Sequence, residues 1–295
     1  MSNLVLVTGA AGGRQGKTGR RVSEMLLARG VPVRAFLRRI DERAERLRAL
    51  GAEIVEGDLL DIQSVRRAAR GVSRVYFAYP VQEGLLDATA IMALAAREAG
   101  VSRLVDLVMY RSSPDAPTPR MRQNYLSEQV FEWAGIGAVH VGATVFYENL
   151  RALAAPTLGQ GLLRLPWGSE NTVIPLIAAE DVARVAAGLL SSPSVPANGE
   201  YRLVGAVVTL RDIVRTFERV LGRAVRYEPI SDEDWRRGAL GAGLNPHAVE
   251  HLSRLWQFFR ESDDRSGEYA SAAAATEQLA GRRSKTLEEF LRESD

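Results

Sequence analysis

The sequence predicts an α/β protein: a doubly wound, parallel-sheet domain with a smaller, mainly helical C-terminal subdomain. Short apolar runs alternate with segments of helical spacing through the first part of the 295-residue chain. That is the rhythm of strand–helix–strand units, in which helices cover both faces of a parallel sheet. A glycine-rich turn separates the first apolar run from the first helical segment. From Ser191 the texture changes to a loop rich in Ser, Pro and Gly, and then to mainly helical periodicity.

Leu4–Val7 reads as a compact apolar strand that runs into the glycine turn. Val22–Leu27 carries apolar residues at helical spacing and ends at Gly30, a residue suited to a left-handed helix cap. Val31–Leu37 is the second strand, Arg43–Leu50 a helix stopped by Gly51, and Glu53–Glu56 the third strand, leading into Gly57-Asp58-Leu59. Ser64–Ala69 is helical up to Gly71, Val75–Ala78 is a strand, Leu85–Ala99 a long helix closed by Gly100, and Leu104–Met109 a fifth strand. The alternation continues with a helix over Glu128–Trp133, a strand over Ala138–Val145 and a helix over Ala178–Leu190. Tyr201–Val204 is expected to be the last short strand. Beyond Thr209 the pattern is helical, with Trp235, Trp256, Phe258 and Phe259 available for a second, smaller core. The expected division assigns 1–146 and 173–205 to the sheet domain, and 147–172 and 206–295 to the subdomain.

Composition narrows the chemistry. Hydrophobic residues make up 46% and charged residues 25%, which fits a packed globular chain and not a disordered one. A net charge of +2 gives no electrostatic reason to expect nucleic acid. The only lysines are Lys17 and Lys285, so the basic charge is almost all arginine. The absence of cysteine excludes disulfides, thiolate nucleophiles and cysteine-bound zinc. The opening residues read as a strand and not as a secretory leader, and no apolar run is long enough to span a bilayer. A cytoplasmic protein with no membrane partner is expected. With three histidines and no cysteine, no metal site is expected. His140 sits in an apolar strand as a core residue, and His247 and His251 read as surface residues.

The turn Thr8-Gly9-Ala10-Ala11-Gly12-Gly13-Arg14-Gln15-Gly16-Lys17-Thr18-Gly19 lies between the first strand and first helix. In that position, main-chain N–H groups can approach a pyrophosphate, and the helix N-terminus adds partial positive charge. Thr8, Gly9, Ala11, Gly12, Arg14, Gly16, Lys17, Thr18 and Gly19 are therefore candidate contacts for the diphosphate of a dinucleotide. The same residues satisfy a relaxed P-loop pattern through Gly16-Lys17-Thr18, an alternative that requires an acid at the end of a later strand; Asp106 lies inside its strand instead. The second strand ends in Arg38-Arg39, where an NAD site would place an acid. A guanidinium there offers paired donors to a 2′-phosphate, which favours NADP(H).

Three segments together resemble the NmrA-like group of atypical short-chain dehydrogenases/reductases: Val7-Thr8-Gly9-Ala10-Ala11-Gly12, Val33-Arg34-Ala35-Phe36-Leu37-Arg38, and Gly57-Asp58-Leu59 with Asp61–Val72 following. The likeness continues through Phe146–Leu150, Ile177–Ala183, Tyr201–Gly205 and Thr286–Leu291. It implies a Rossmann domain that carries NADP(H) and a small subdomain over a substrate cleft. Carried over by position, Arg38 and Arg39 would serve the 2′-phosphate, and Asp58 and Leu59 the adenine. Ala78, Tyr79 and Pro80 would lie on the nicotinamide side. Tyr147, Glu148 and Asn149 would border the substrate, with Trp167 among the apolar residues around it. The glycine loop is longer than the family pattern, by Gly13-Arg14-Gln15-Gly16 or a close equivalent.

The tyrosine and lysine, four residues apart, that many short-chain dehydrogenases use for proton transfer cannot be formed here. Lys17 is in the glycine loop, the residue four before Lys285 is Gly281, and the nearest imitation is Tyr125 with Gln129. Tyr110, Tyr125 and Tyr147 remain as candidate proton donors, with His140 a weaker one. The expected function is an NADPH-dependent oxidoreductase that passes a hydride to a small, largely apolar, electron-poor acceptor such as a quinone or enone. Its partner is then a small-molecule substrate, and the protein a monomer or homodimer. The competing reading is a non-catalytic, NADP-binding redox-sensing regulator that binds a protein partner.

Overall fold

The computed structural model describes residues 3–12, 17–261 and 266–293, so Arg14 and Gly16 of the glycine loop lie outside the described residues. The chain forms two compact units. The first takes residues 1–116, 121–143 and 182–202, and the second takes 117–120, 144–181 and 203–295.

The elements run in order β1 (Val5–Thr8), α1 (Thr18–Ala28), β2 (Val33–Leu37), α2 (Glu42–Ala49), β3 (Glu53–Glu56), α3 (Ile62–Ala69), β4 (Arg74–Phe77), α4 (Leu85–Glu98), β5 (Arg103–Met109), α5 (Pro119–Trp133) and β6 (Ala138–Ala143). They continue with β7 (Val145–Phe146), α6 (Tyr147–Leu158), β8 (Leu162–Leu165), β9 (Val173–Ile177), α7 (Ala179–Ser191) and β10 (Gly199–Leu203). The last are β11 (Ala206–Thr209), α8 (Leu210–Leu221), β12 (Arg226–Pro229), α9 (Asp232–Gly241), α10 (Pro246–Glu261), α11 (Ser266–Ala280) and α12 (Leu287–Arg292).

The first unit is the doubly wound α/β sheet. Its strand order is β10-β6-β5-β4-β1-β2-β3, with β1 parallel to both β2 and β4. The pairs β2–β3, β4–β5 and β5–β6 are also parallel. The order turns back on itself beside β1, the topological switch point where such sheets open a crevice at their carboxyl ends. Val5, Leu6 and Val7 are wholly buried, as a strand covered on both faces requires. On one face Leu6, Phe36, Val75, Phe77 and Leu104 pack with Val65 of α3, Met92 of α4 and Phe131 of α5. Phe77 and Phe131 meet edge to face at 5.1 Å. Burying each such side chain contributes about 1.5–3 kcal/mol. The helix starts are written locally: Asp41 accepts from Arg43 N to cap α2, and Asp61 accepts from Gln63 N and Ser64 N to cap α3.

The second unit holds a three-stranded sheet, β11-β9-β7, and a parallel pair, β12-β8. Trp167 and Trp256 are fully buried in it, with ring centroids 4.9 Å apart. Thr209 with Asp212, and Thr286 with Glu289, form reciprocal capping boxes at the starts of α8 and α12. Lys285 donates from Nζ to Glu180 at 2.5 Å and to Glu293 at 2.8 Å, while its backbone N–H donates to Asp181. That side chain is a structural tie.

Four expectations about elements are corrected. The helix expected at Glu128–Trp133 starts at Pro119, because proline suits the first turn, where no N–H bond is needed. The strand expected over Ala138–Val145 breaks at Thr144, which donates its N–H to Leu203 O; β6 stays in the large sheet and β7 joins the small one. Gly199–Leu203 is not the last strand, since β11 and β12 follow. Finally, α6, β8 and β9 carried no expected element; β9 contains Pro175, a residue that argues against a strand when read from sequence.

Candidate dinucleotide site

Within the first unit, a cleft of about 450 Å³ opens at the carboxyl ends of β1, β2, β3 and β4. Gly9, Ala11 and Gly12 line it from the turn after β1, and Arg38 and Arg39 from the end of β2. Asp58 and Leu59 line it after β3, and Ala78, Tyr79 and Pro80 after β4. The sequence assigned all of these to cofactor contact, and the fold brings them to one opening.

Backbone geometry explains the glycines. Gly9 and Gly12 have φ of +64° and +68°, left-handed conformations that side chains disfavour. A Cβ on Gly19 would lie 2.5 Å from Thr8 O and 2.7 Å from Gly9 C, so α1 sits directly against the end of β1. Thr8 Oγ1 donates to Ala78 O at 3.0 Å and accepts from Ala78 N at 2.8 Å, which locks the ends of β1 and β4 together. The start of α1 is thereby held against the end of β1 that carries Gly9, and a helix start, whose first-turn N–H groups lack intrahelical acceptors, suits a diphosphate. Lys17 precedes it with φ +57°, and Thr18 is buried as the first helical residue.

Arg38 Nη2 stands 3.6 Å from Asp58 Oδ2, with 77% of its side chain exposed. Asp58 also accepts from Leu60 N at 2.9 Å, closing the turn after β3. Sequence reasoning missed Arg43. It lines the same cleft and donates from Nη1 to Gly12 O at 2.7 Å, while Nε and Nη2 grip Asp41 at 3.0 and 2.6 Å. Those bonds hold the Asp41 carboxyl down to a pKa of about 2. The available signal was an aspartate helix cap with arginine two residues on, directly after the strand that ends in Arg38.

The other assigned residues stand elsewhere. Tyr110 follows β5 and is half-buried, with the Arg111 guanidinium 5.9 Å from its ring centre. Tyr125 is half-buried on α5. In the second unit, Tyr147 is wholly buried and donates from its hydroxyl to Lys285 O at 3.2 Å; burial pushes its pKa well above the ordinary phenol value. Glu148 is buried and accepts from Ala179 N at 3.2 Å, Asn149 is half-buried, and Trp167 packs on Trp256. Tyr147, Glu148 and Trp167 are thus interior packing and capping groups of their unit.

His251 is also corrected. Only 3% exposed, it bonds through Nδ1 to Thr118 Oγ1 at 2.9 Å, and burial pushes its pKa down to about 3. His140 is fully buried, with Nδ1 3.5 Å from Asp106 and Nε2 3.6 Å from Glu132; those carboxylates raise its pKa against the lowering effect of burial. Among the described residues there is no cluster of His, Asp and Glu able to hold a metal, and no helix is long and apolar enough to cross a membrane.

A parallel doubly wound sheet, a glycine turn against a helix start and an arginine-rimmed crevice at the switch point define a Rossmann-type nucleotide-binding protein. The chain belongs to the NmrA-like family, which it matches over residues 1–291. It is 30% identical over 295 residues to a (4-alkanoyl-5-oxo-2,5-dihydrofuran-3-yl)methyl phosphate reductase of Streptomyces griseus, covering 97% of this chain and 96% of that one. It is 26% identical over 258 residues to an NAD(P)H azoreductase of Xenophilus azovorans, covering 86% of each. Among solved structures, an NADPH-dependent quinone oxidoreductase of Escherichia coli complexed with NADPH superposes with a TM-score of 0.79 at 21% identity over 98% of both chains. NmrA, a negative transcriptional regulator, superposes with a TM-score of 0.80 at 19% identity over 99% of this chain and 95% of its own. Enzymes and a regulator share this architecture, so fold alone does not select the activity.

Proposed function

We propose that the protein is an NADPH-dependent oxidoreductase that transfers a hydride to a small, electron-poor, largely apolar acceptor without the tyrosine–lysine pair. The observation that carries the reading is the arginine-rimmed cleft over the glycine turn. Gly9 holds a left-handed backbone under it with φ +64° and Gly19 lets α1 pack on the end of β1, and Arg38, Arg39 and Arg43 put three guanidinium groups at one end. The cradle suits a diphosphate and the rim suits an added phosphate monoester. The Streptomyces and Xenophilus relatives are named as reductases, which supports turnover over mere binding.

When bound, reduced nicotinamide supplies the hydride itself, so the protein need not carry redox chemistry. Gly9, Gly12 and the start of α1 would receive the diphosphate, and Arg38 and Arg43 the 2′-phosphate. Asp58 and Leu59 would receive the adenosine, and Ala78–Pro80 the opposite, reactive end. Thr8 fixes the separation of those ends through its two bonds to Ala78.

The test incubates the protein with NADPH and a panel of quinones, enones and azo dyes while following loss of the reduced-nicotinamide absorbance. Consumption above a protein-free control is expected. Tight NADPH binding with no turnover across the panel would replace this reading with the regulator.

A further inference from the structure

We propose that Asn198 is a self-modification site: the Gly199 main-chain nitrogen attacks its side chain, isoaspartate forms, and the lengthened backbone loosens β10 from β6. The inference is independent of the reductase reading, because it needs neither nucleotide nor acceptor.

The amide carbon of an asparagine side chain lies within reach of the next residue's main-chain nitrogen, and their union closes a five-membered ring. A side chain on that next residue crowds the attack; glycine, with no Cβ, leaves the nitrogen open. Of the six asparagines, Asn3 and Asn149 precede Leu, Asn124 precedes Tyr and Asn171 precedes Thr. Asn245 precedes Pro, whose nitrogen carries no hydrogen to lose. Asn198 alone precedes glycine.

The fold reinforces that choice. Asn124 is only 2% exposed and shut away from water. Asn149 is half-buried within α6. Asn245 accepts from His247 N at 2.8 Å, so its side chain is engaged at the start of α10. Asn198 is exposed, and its carboxamide has no hydrogen-bond partner among the described residues. With φ +57°, it shares with Lys17 a left-handed backbone that among the described residues is otherwise kept to glycine. The turn it makes leads directly into β10. Asn198 N–H donates to Ala138 O at 2.7 Å, and β10 ends the sheet with β6 on its inner side. The end of an edge strand opens locally at small cost in free energy, which frees the 198–199 link to rotate and close the ring.

Atoms and electrons balance. Gly199 N bonds to Asn198 Cγ, the Cγ–Nδ2 bond breaks, and ammonia leaves with the hydrogen that Gly199 N gives up. One water then opens the ring. Cleavage between Gly199 N and the Asn198 main-chain carbonyl carbon leaves isoaspartate, and cleavage between Gly199 N and Cγ leaves aspartate. Asparagine plus water thus gives isoaspartate or aspartate plus ammonia, with no oxidant or reductant.

In isoaspartate the main chain runs through Cβ and Cγ, so one methylene enters the backbone and a carboxylate replaces a neutral amide. The added carbon falls between the bond to Ala138 and the first residue of β10. That bond and the β10 ladder can no longer hold the same register. The new charge stands two residues before Glu200, whose carboxylate accepts from Arg202 Nη2 at 2.9 Å. Arg202 anchors β10 from the other end: it crosses β6 at Gly142, where a Cβ would lie 2.6 Å from Nη1, and donates to Ser112 Oγ at 3.0 Å. Slippage of β10 pulls that anchor.

The experiment ages the folded protein at mildly alkaline pH, which favours loss of the Gly199 N–H proton, beside Asn198→Gly and a urea-unfolded sample. Peptide mass mapping and methyl labelling by an isoaspartyl methyltransferase read the product. In the folded protein the peptide spanning 193–202 is expected to lose its amide before any other asparagine peptide, and to carry the label. In Asn198→Gly, a residue that accepts the left-handed turn, the label is expected to fall to background. Hydrogen exchange of the aged protein should lose protection at 199–202 and at the facing 138–142. Freshly prepared Asn198→Asp, which adds the charge without lengthening the backbone, should keep that protection. An Asn198 amide that stays intact in the folded protein, under conditions that convert the unfolded chain, would overturn the proposal. A folded Asn198→Gly protein that labels as strongly as its parent would do the same, as would isoaspartate at 198 with β10 protection unchanged.

Discussion

Replacing Gly19 by alanine sets two effects of known sign against each other. Gly19 is the second residue of α1, and alanine in place of glycine favours a helix by about 1 kcal/mol. Against this, the new Cβ would meet Thr8 O at 2.5 Å and both C and O of Gly9 at 2.7 Å. Those atoms are backbone and cannot rotate aside, and Thr8 is pinned to Ala78 by two bonds. Relieving the contact requires α1 to retreat from β1, and overpacking of this kind costs about 1–3 kcal/mol, more where backbone is the obstacle. The clash wins, so Gly19→Ala is expected to lose about 1–2 kcal/mol in urea unfolding. The retreat also draws the helix start away from the diphosphate, so calorimetry should show NADPH affinity lowered by tenfold or more, about 1.4 kcal/mol. Gly188→Ala is the matched control: it lies in α7 with nothing within 4 Å of the added Cβ, and should stabilise by about 0.5–1 kcal/mol. A Gly19→Ala protein as stable as its parent, with undiminished NADPH affinity, would refute the argument.

Other outcomes follow from the same geometry. Arg38→Ala should weaken NADPH binding about fivefold more than NADH binding, a modest factor because the side chain is 77% exposed; equal losses by calorimetry would remove it from the 2′-phosphate. Arg43→Ala should act in the same direction, whereas Asp41→Asn, which frees Arg43 from its present partner, should tighten NADPH binding a few-fold; a weaker NADPH complex in Asp41→Asn would contradict that competition. For His251, the folded protein holds the ring neutral down to about pH 3, against an ordinary value of 6.5. The unfolded chain takes up that proton first, so this contribution to stability is complete above about pH 6.5 and declines as pH falls toward 3, by about 2–3 kcal/mol at pH 4.5. Urea unfolding at pH 7.5 and 4.5 should therefore show a shallower pH dependence in His251→Gln than in the parent, and parallel curves would contradict the buried neutral ring.

The strands of the first unit were legible because they are covered on both faces, so Val5-Leu6-Val7 and Val75-Tyr76-Phe77 read as unbroken apolar runs. The glycine turn and Arg38 were legible for a related reason: both depend on local backbone and on the end of one strand. The second unit's strands are short: β11 is half-buried along its length, β8 is interrupted by the exposed Arg164, and β9 is buried but contains Pro175, so no unbroken apolar run marks them. Arg43 was missed because its bond to Gly12 spans 31 positions, which no local pattern records. His247 and His251 are one helical turn apart and look alike in sequence, yet one is half-buried and the other interior.

The edge strand β10 has a consequence for the order of assembly. The first unit is threaded from three separate stretches of chain, and its seven-stranded sheet closes only with residues 199–203. A ribosome must therefore release β7, β8 and β9 before β6 gains its final neighbour. During that interval β6 presents unsatisfied main-chain groups, and chaperone capture of nascent chains stalled between residues 145 and 198 should exceed that of chains released past 203.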